Sequence, residues 1–259
     1  MKLTHLHSST LKSISNRGFT LVELMIAVAI AAIVMGALGT AYVSQRRTAT
    51  AQEQVGEMQQ NIRAGLDIMM HDIRMAGFNA GQNTGATITT ANATQLVFTM
   101  LVADNNTDGI DNDNDGVPDE GDEVETFGYD IADTVPTNDD YTALRRQHKR
   151  PMAGAVFAAV AENIDAIEFY YTLADGTQTT TPTAAQLPDI RAVQVSILAR
   201  ADKPDQDFFN NNTYIPASGN AAWDINNAFA GSAGIGNPPM DNFRRLLLIT
   251  TIQCRNMGL

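Results

Sequence analysis

An apolar run of 25 residues, Phe19–Val43, places the strongest constraint on how this chain can fold. At about 1.5 Å per residue, a helix of this length extends about 37 Å, enough to cross a hydrocarbon core about 30 Å thick. The run contains one charged residue, Glu23. Because an acid is costly at the centre of a membrane helix, Glu23 is expected near one end, with a partner, or both. We therefore predict a membrane-spanning helix.

The charges around this run predict its orientation. Lys2, Lys12 and Arg17 precede it, and residues 1–18 contain no acid. This bias keeps an N-terminus in the cytoplasm, and Arg46 and Arg47 beyond the run weaken it without reversing it. The rest of the chain is then expected in the periplasm.

An ordinary secretory signal is one interpretation of this segment. Its cut site would be Gly39-Thr40-Ala41, and a soluble protein would start near Tyr42. Such a product would be a secreted, calcium-dependent binding protein or hydrolase. The apolar run is longer than the roughly 7–15 residues of a signal-peptide core, which disfavours this alternative.

Residues 17–34, RGFTLVELMIAVAIAAIV, resemble the type IV pilin signature. The resemblance implies a leader over residues 1–18, which a dedicated membrane peptidase removes by cutting after Gly18. It also implies N-methylation of Phe19 and places Glu23 as the fifth mature residue. Residues 19–43 are then a transmembrane and assembly helix.

Cleavage before Phe19 would create an ammonium group, and Glu23 is the nearest possible counter-charge. In a stack of helices, the terminal amine of a neighbouring subunit would neutralise this carboxylate at low dielectric and set the register. Alternatively, Glu23 pairs only with its own terminal amine or lies at the headgroup level. The assembly role explains better why an acid is tolerated here.

Helical periodicity continues over residues 44–77, where apolar residues recur at spacings of three and four. Gly77 is the expected end of a helix of 58 residues, Phe19–Ala76. We predict a stalk whose far end packs on a globular head. The stripe that would face the head consists of Val55, Met58, Ile62, Leu66, Met69, Ile73 and Ala76.

The head, residues 78–259, has five runs rich in β-branched and aromatic residues. We predict an α+β fold in which the long N-terminal helix packs on one antiparallel sheet. Cys254 is predicted to be a small core residue in the last strand. The predicted strands are 95–102, 124–131, 164–173, 190–200 and 243–255.

Residues 104–125 form an acidic segment with ten acids among 22 residues and no base. Residues 111–116 match D-x-D-x-D-G, the opening of an EF-hand-type calcium loop, and a weaker copy precedes them. The alternative is a solvated acidic loop, and Pro118 argues against flanking helices. We predict structural Ca²⁺ with Asp111, Asp113, Asp115, Val117, Asp119 and Asp122 as ligands, and a weaker second site at Asp104, Asn106 and Asp108.

Two further features have competing interpretations. RRQHKR, residues 145–150, is either a docking surface for another subunit or, more simply, a solvated turn. Trp223 is either a contact residue or, more often in such sequences, the anchor of a long loop to its own core.

The long helix ends in DIRMAGFNA, the middle of the chain contains AENIDAIEFYY, and the final predicted strand ends in RN. This order of segments is similar to that of PilW-like minor pilins. The J-type minor pseudopilins of type II secretion systems are the nearest alternative. The resemblance implies other major and minor pilins, the prepilin peptidase and an inner-membrane assembly platform as partners, with location in the inner membrane and then on the pilus.

Neither an enzyme nor a nucleic-acid-binding protein is predicted. The formal charge is −12, and without its leader the chain has 14 basic and 29 acidic residues. Such a surface does not attract nucleic acid. No G-x-S-x-G or H-E-x-x-H motif appears, and His71 and His148 lie in polar surroundings.

Overall fold

The computed structural model describes residues 18–78, 86–102, 123–133, 142–149, 157–223, 225 and 236–257. The chain divides into two compact units, Met1–Thr50 and Ala51–Leu259. The described part of the first unit consists of the start of helix α1 and the three residues before it.

Helix α1 spans Leu21–Met75 without interruption, close to the predicted bounds. Its end is set by Gly77, which has a positive φ of 74° and donates its N–H to the Thr99 carbonyl at 3.1 Å. A Cβ at Gly77 would lie 2.6 Å from the Met257 sulfur, so a side chain does not fit there without movement. The predicted helix stop is confirmed.

Within the second unit, α1 buries the predicted stripe. Met58, Ile62, Leu66, Met69 and Ile73 are all buried. Their spacing places them on one face of the helix, which packs in the main core of the head.

The strands form two antiparallel sheets, so the fold class is confirmed and the prediction of one sheet is wrong. Five strands lie in the order β1-β2-β3-β4-β5, and four in the order β7-β6-β8-β9. A 3-10 helix, Ala184–Asp189, precedes β8. The bounds are β1 Ile88–Ala91, β2 Leu96–Val102, β3 Glu123–Asp133, β4 Thr142–Lys149, β5 Phe157–Glu162, β6 Ile164–Leu173, β7 Gln178–Thr179, β8 Ile190–Arg200 and β9 Arg245–Gln253.

One apolar cluster joins α1 to both sheets. Phe98 and Tyr129 contribute from the five-stranded sheet, and Phe169 and Tyr171 from the four-stranded sheet; all four are fully buried. Each such aromatic side chain removes about 150–250 Å² from water, so these residues dominate the packing of the head.

A second, smaller core covers the other face of the four-stranded sheet. Ala166 and Leu198 pack there with Trp223 and Ile225, and Leu247 lies against them. Residues at alternate positions of β6, β8 and β9 belong to the main cluster, which places the two clusters on opposite faces. The interpretation of Trp223 as a loop anchor is confirmed, since only 6% of it is exposed.

Candidate processing and assembly site

The predicted cleavage junction, Gly18-Phe19, lies immediately before α1. Phe19 is 92% exposed. A Cβ built on Gly18 would have no heavy atom within 4 Å apart from its chain neighbours. Within the described residues, the peptide bond between them is therefore open to an enzyme.

Glu23 forms a capping box with Thr20 at the start of α1. The backbone N–H and the hydroxyl of Thr20 both donate to Glu23 Oε2 at 2.9 Å, and the Glu23 N–H approaches the Thr20 hydroxyl at 3.3 Å. This arrangement satisfies N–H groups that the first helical turn leaves without partners. The sequence signal, Thr-x-x-Glu before an apolar run, was present at residues 20–23 but our sequence analysis missed it.

The first unit presents an apolar helix surface. Every residue from 18 to 50 is exposed within that unit. Leu21 is 74% exposed and Ile33 is 73% exposed. By length and composition α1 can cross a membrane. An exposed apolar surface of this extent is typical of a segment that lipid or other helices cover.

The basic segment 145–150 is not a solvated turn, because its described residues belong to β4. Arg146 Nε donates to Asp72 Oδ2 on α1 at 2.6 Å, and the Tyr129 hydroxyl donates to the same oxygen at 2.6 Å. Burial and the neighbouring Asp72 carboxylate raise the pKa of Tyr129 well above its usual range. This group ties the helix to the five-stranded sheet inside the head.

The neighbouring basic residues also face acids of the head. Arg145 makes a bidentate pair with Asp130 at 2.9 and 2.8 Å. His148 contacts Glu125 and stacks on Phe127 with ring centroids 4.7 Å apart. Arg145, Arg146 and His148 thus pair with acids of the head, and the docking interpretation of this segment stays a prediction.

A second buried ion group lies in the four-stranded sheet. The Arg245 side chain is fully buried and contacts Asp165 at 2.6 Å and Asp241 at 2.7 Å. Arg200 lies 3.6 Å from Asp165 and over the Phe243 ring at 4.5 Å. Burial raises the pKa of Asp165, and the Arg245 and Arg200 guanidiniums oppose that shift. The sequence signal for this buried ion group was the pair Arg244-Arg245 at the start of an apolar strand.

The Cys254 thiol is buried, which confirms its prediction as a small core residue. Burial raises its pKa to about 12, so the thiolate form that nucleophilic chemistry needs is scarce at neutral pH. Among the described residues, no group of three or more His, Cys, Asp or Glu side chains is placed to hold a metal ion.

The predicted calcium ligands and the leader lie outside the described residues. The ligand positions of both predicted calcium sites fall within residues 103–122, and the leader before Gly18 comprises residues 1–17. The calcium site and the leader's removal therefore stay predictions.

A family model described as the prokaryotic N-terminal methylation motif matches residues 14–39. This match includes the predicted cleavage junction, the capping box and most of the exposed apolar helix, and the head behind it is α+β. The chain therefore carries a prepilin-type methylation motif at the start of its long helix. The motif implies processing by a prepilin peptidase and assembly with pilus-type machinery, and the apolar helix is consistent with membrane anchoring.

Among solved structures, this chain is similar to a type IV-like pilin, TTHA1219 from Thermus thermophilus. The identity is 14% and the TM-score is 0.47, with 78% of this chain and 98% of that chain covered. No protein of curated function matches the chain.

Proposed function

We propose that this protein is a minor pilin, a structural subunit that primes or caps a type IV pilus. In this proposal the prepilin peptidase cuts after Gly18 and Phe19 becomes N-methylated. The subunit then joins the assembly through residues 19–43 of α1. In this proposal the role of the subunit is structural and not catalytic.

The observation that carries the proposal is the contrast along α1. Residues 21–43 expose an apolar surface within the first unit, whereas Met58–Ile73 bury one face within the second. A helix with the methylation motif at its start and a lipid-like surface after it supports transfer from the membrane into a bundle of similar helices. Such a bundle is the core of a filament.

Glu23 is proposed as the register residue of that bundle. Thr20 holds the Glu23 carboxylate at the start of the helix. Thr20 is the residue directly after Phe19, on which cleavage would create the amine. An arriving subunit whose carboxylate meets a neighbour's amine forms an ion pair, and a misplaced subunit leaves a charge unpaired at low dielectric.

The mature N-terminus tests the processing step. Mass spectrometry of the protein purified from its native membrane should give a chain that begins with N-methyl-Phe19. A chain beginning near Tyr42 would instead indicate an ordinary signal cut and a released protein.

A deletion strain tests the role in the pilus. We expect fewer surface pili and impaired twitching, restored by the intact gene, with protein secretion unchanged. Normal piliation together with a secretion defect would make the chain a minor pseudopilin of a type II secretion system.

A further inference from the structure

The described sheets have four outer strands, and β9 is the least protected of them. The two-residue β7 and the four-residue β1 are short, and the pairing of β5 with β4 has an irregular register. Strand β9 has nine residues, no proline or lysine, and a regular register with β8. Proteins usually protect such edges with short strands, bulges, proline or lysine, because unpaired strands recruit other chains.

The direction of the β9 backbone groups follows from its pairing with β8. Ala201 donates its N–H to the Arg244 carbonyl at one end, and Cys254 donates to the Arg191 carbonyl at the other. Because antiparallel residues alternate in direction, the even-numbered residues between them face β8. The N–H and C=O groups of Leu247, Ile249 and Thr251 therefore point to the outer edge, where no described strand pairs with them.

The side chains of β9 suit an edge that accepts another strand. Leu248 and Ile252 pack in the main core and hold the strand in place. Ile249 lies on the opposite face and is 46% exposed, and Thr251 beside the edge is also exposed. A strand added at this edge would gain backbone hydrogen bonds and cover Ile249.

We propose that the outer edge of β9 pairs with an extended strand from a different pilin-like subunit of the same assembly. The inference rests on the proposed function, since co-assembly brings subunits together. The partner strand would place an apolar side chain against Ile249 and an acidic one near Arg255, the exposed basic residue two positions after the end of β9. A second copy is the poorer fit, because each mature chain has 14 basic and 29 acidic residues and copies repel each other.

The test uses the full chain in its native cell with a photo-reactive amino acid at Gln253, an exposed residue at the end of β9. Thr251→Pro removes an outward N–H without removing a bond to β8, and Thr251→Ala is its matched control. We expect cross-links to a protein that carries the methylation motif, identified by mass spectrometry. Their yield should persist with Thr251→Ala and fall on the order of tenfold with Thr251→Pro.

Folding is checked separately. Thr251→Pro should leave the melting temperature of the purified full chain in detergent close to that of Thr251→Ala. If it does not, Ile249→Lys replaces it, because a lysine discourages pairing at the edge and leaves the backbone intact.

Several results would overturn the proposal. These are equal cross-linking in the edge variants and their control, cross-links only between copies of this chain, and slow amide exchange at Leu247, Ile249 and Thr251 in the purified protein alone. The last result would indicate that the chain covers its own edge. N-methylation of Phe19 is measured in the same strains. An unmethylated N-terminus refutes the proposed function. Normal methylation without cross-links from the chain that has the native β9 edge refutes only the pairing at that edge.

Discussion

The Asp72 carboxylate accepts hydrogen bonds that join α1 to the five-stranded sheet, so its removal should destabilise the head. Asp72 is 4% exposed, and its Oδ2 accepts hydrogen bonds from the Tyr129 hydroxyl and Arg146 Nε, each at 2.6 Å. Tyr129 is fully buried, whereas the Arg146 side chain keeps 26% of its surface in water. Removing the Asp72 acceptor should therefore cost more stabilising free energy at Tyr129 than at Arg146.

Asp72→Ala leaves the buried Tyr129 hydroxyl without this acceptor, which costs about 1–3 kcal/mol. The Arg146 side chain is partly hydrated, so losing its bond to Asp72 costs less stability, about 1 kcal/mol. A total of about 3 kcal/mol corresponds to a melting temperature lower by about 6–12 °C for a head of this size. Tyr129→Phe added to Asp72→Ala should recover part of that loss, because it removes the unsatisfied hydroxyl.

Thermal unfolding of the full chain in detergent, followed by far-UV circular dichroism and by the fluorescence of Trp223, measures these changes. Asp67→Ala is the matched control, since Asp67 is an exposed aspartate on the same helix and its loss should change stability by no more than about 0.5 kcal/mol. Equal melting temperatures for Asp72→Ala and Asp67→Ala would refute the reasoning. So would a double variant no more stable than Asp72→Ala alone.

Three further predictions concern the N-terminus, the thiol and the acidic segment. Glu23→Ala should insert into the membrane normally but enter pili poorly, as measured by its amount in sheared pili, whereas Glu53→Ala on the same helix should enter normally; equal incorporation would remove the register role. Cys254, whose pKa is raised to about 12 by burial, should react with iodoacetamide at pH 8 slowly when folded and rapidly in denaturant; fast labelling of the folded chain would contradict its burial. If residues 104–125 bind Ca²⁺, calcium at about 100 times its dissociation constant should stabilise the chain by about 2.7 kcal/mol, or about 5–11 °C, and Asp113→Asn should weaken this effect; a melting temperature unchanged by chelator would exclude the site.

High alkaline pH should weaken the head through its buried tyrosines. Burial raises the pKa of Tyr129 and of Tyr171 above the ordinary value of 10, so the unfolded chain loses these protons first as the pH rises. Stability is then complete below about pH 10 and falls above it, by up to about 1.4 kcal/mol per pH unit for each tyrosine. Urea unfolding at pH 9 and pH 11 measures the fall, and a smaller fall in Tyr129→Phe assigns part of it.

The long helix and the central strands were predictable because their signals are local. Apolar residues at spacings of three and four define the buried face of α1, and Gly77 ends the helix where a positive φ is needed. Strands β6 and β8 were predicted with their observed bounds, since both are rich in β-branched or aromatic residues between turn signals.

Strand β4 was missed because its charges are neutralised by residues far away in the sequence. Arg146 pairs with Asp72, 74 positions earlier, and Arg145 pairs with Asp130 on the adjacent strand. A run of basic residues looks like a solvated surface when those acids are unknown. The second sheet was missed for a related reason: which strands pair depends on long-range contacts that strand propensity does not encode.

The capping box changes how the acid in the apolar helix is understood. Glu23 and Thr20 satisfy each other at the helix start, so an acid at this position has a local role before any partner arrives. A glutamine would complete the same box without charge, since Glu and Gln both serve at this position. The cap therefore explains a polar residue at 23 but does not require a carboxylate. Only the amine freed on Phe19, its own or a neighbour's, requires the charge. Glu23→Gln separates the two roles: normal entry into pili would assign Glu23 to the cap, and a defect as severe as that of Glu23→Ala would assign it to the ion pair.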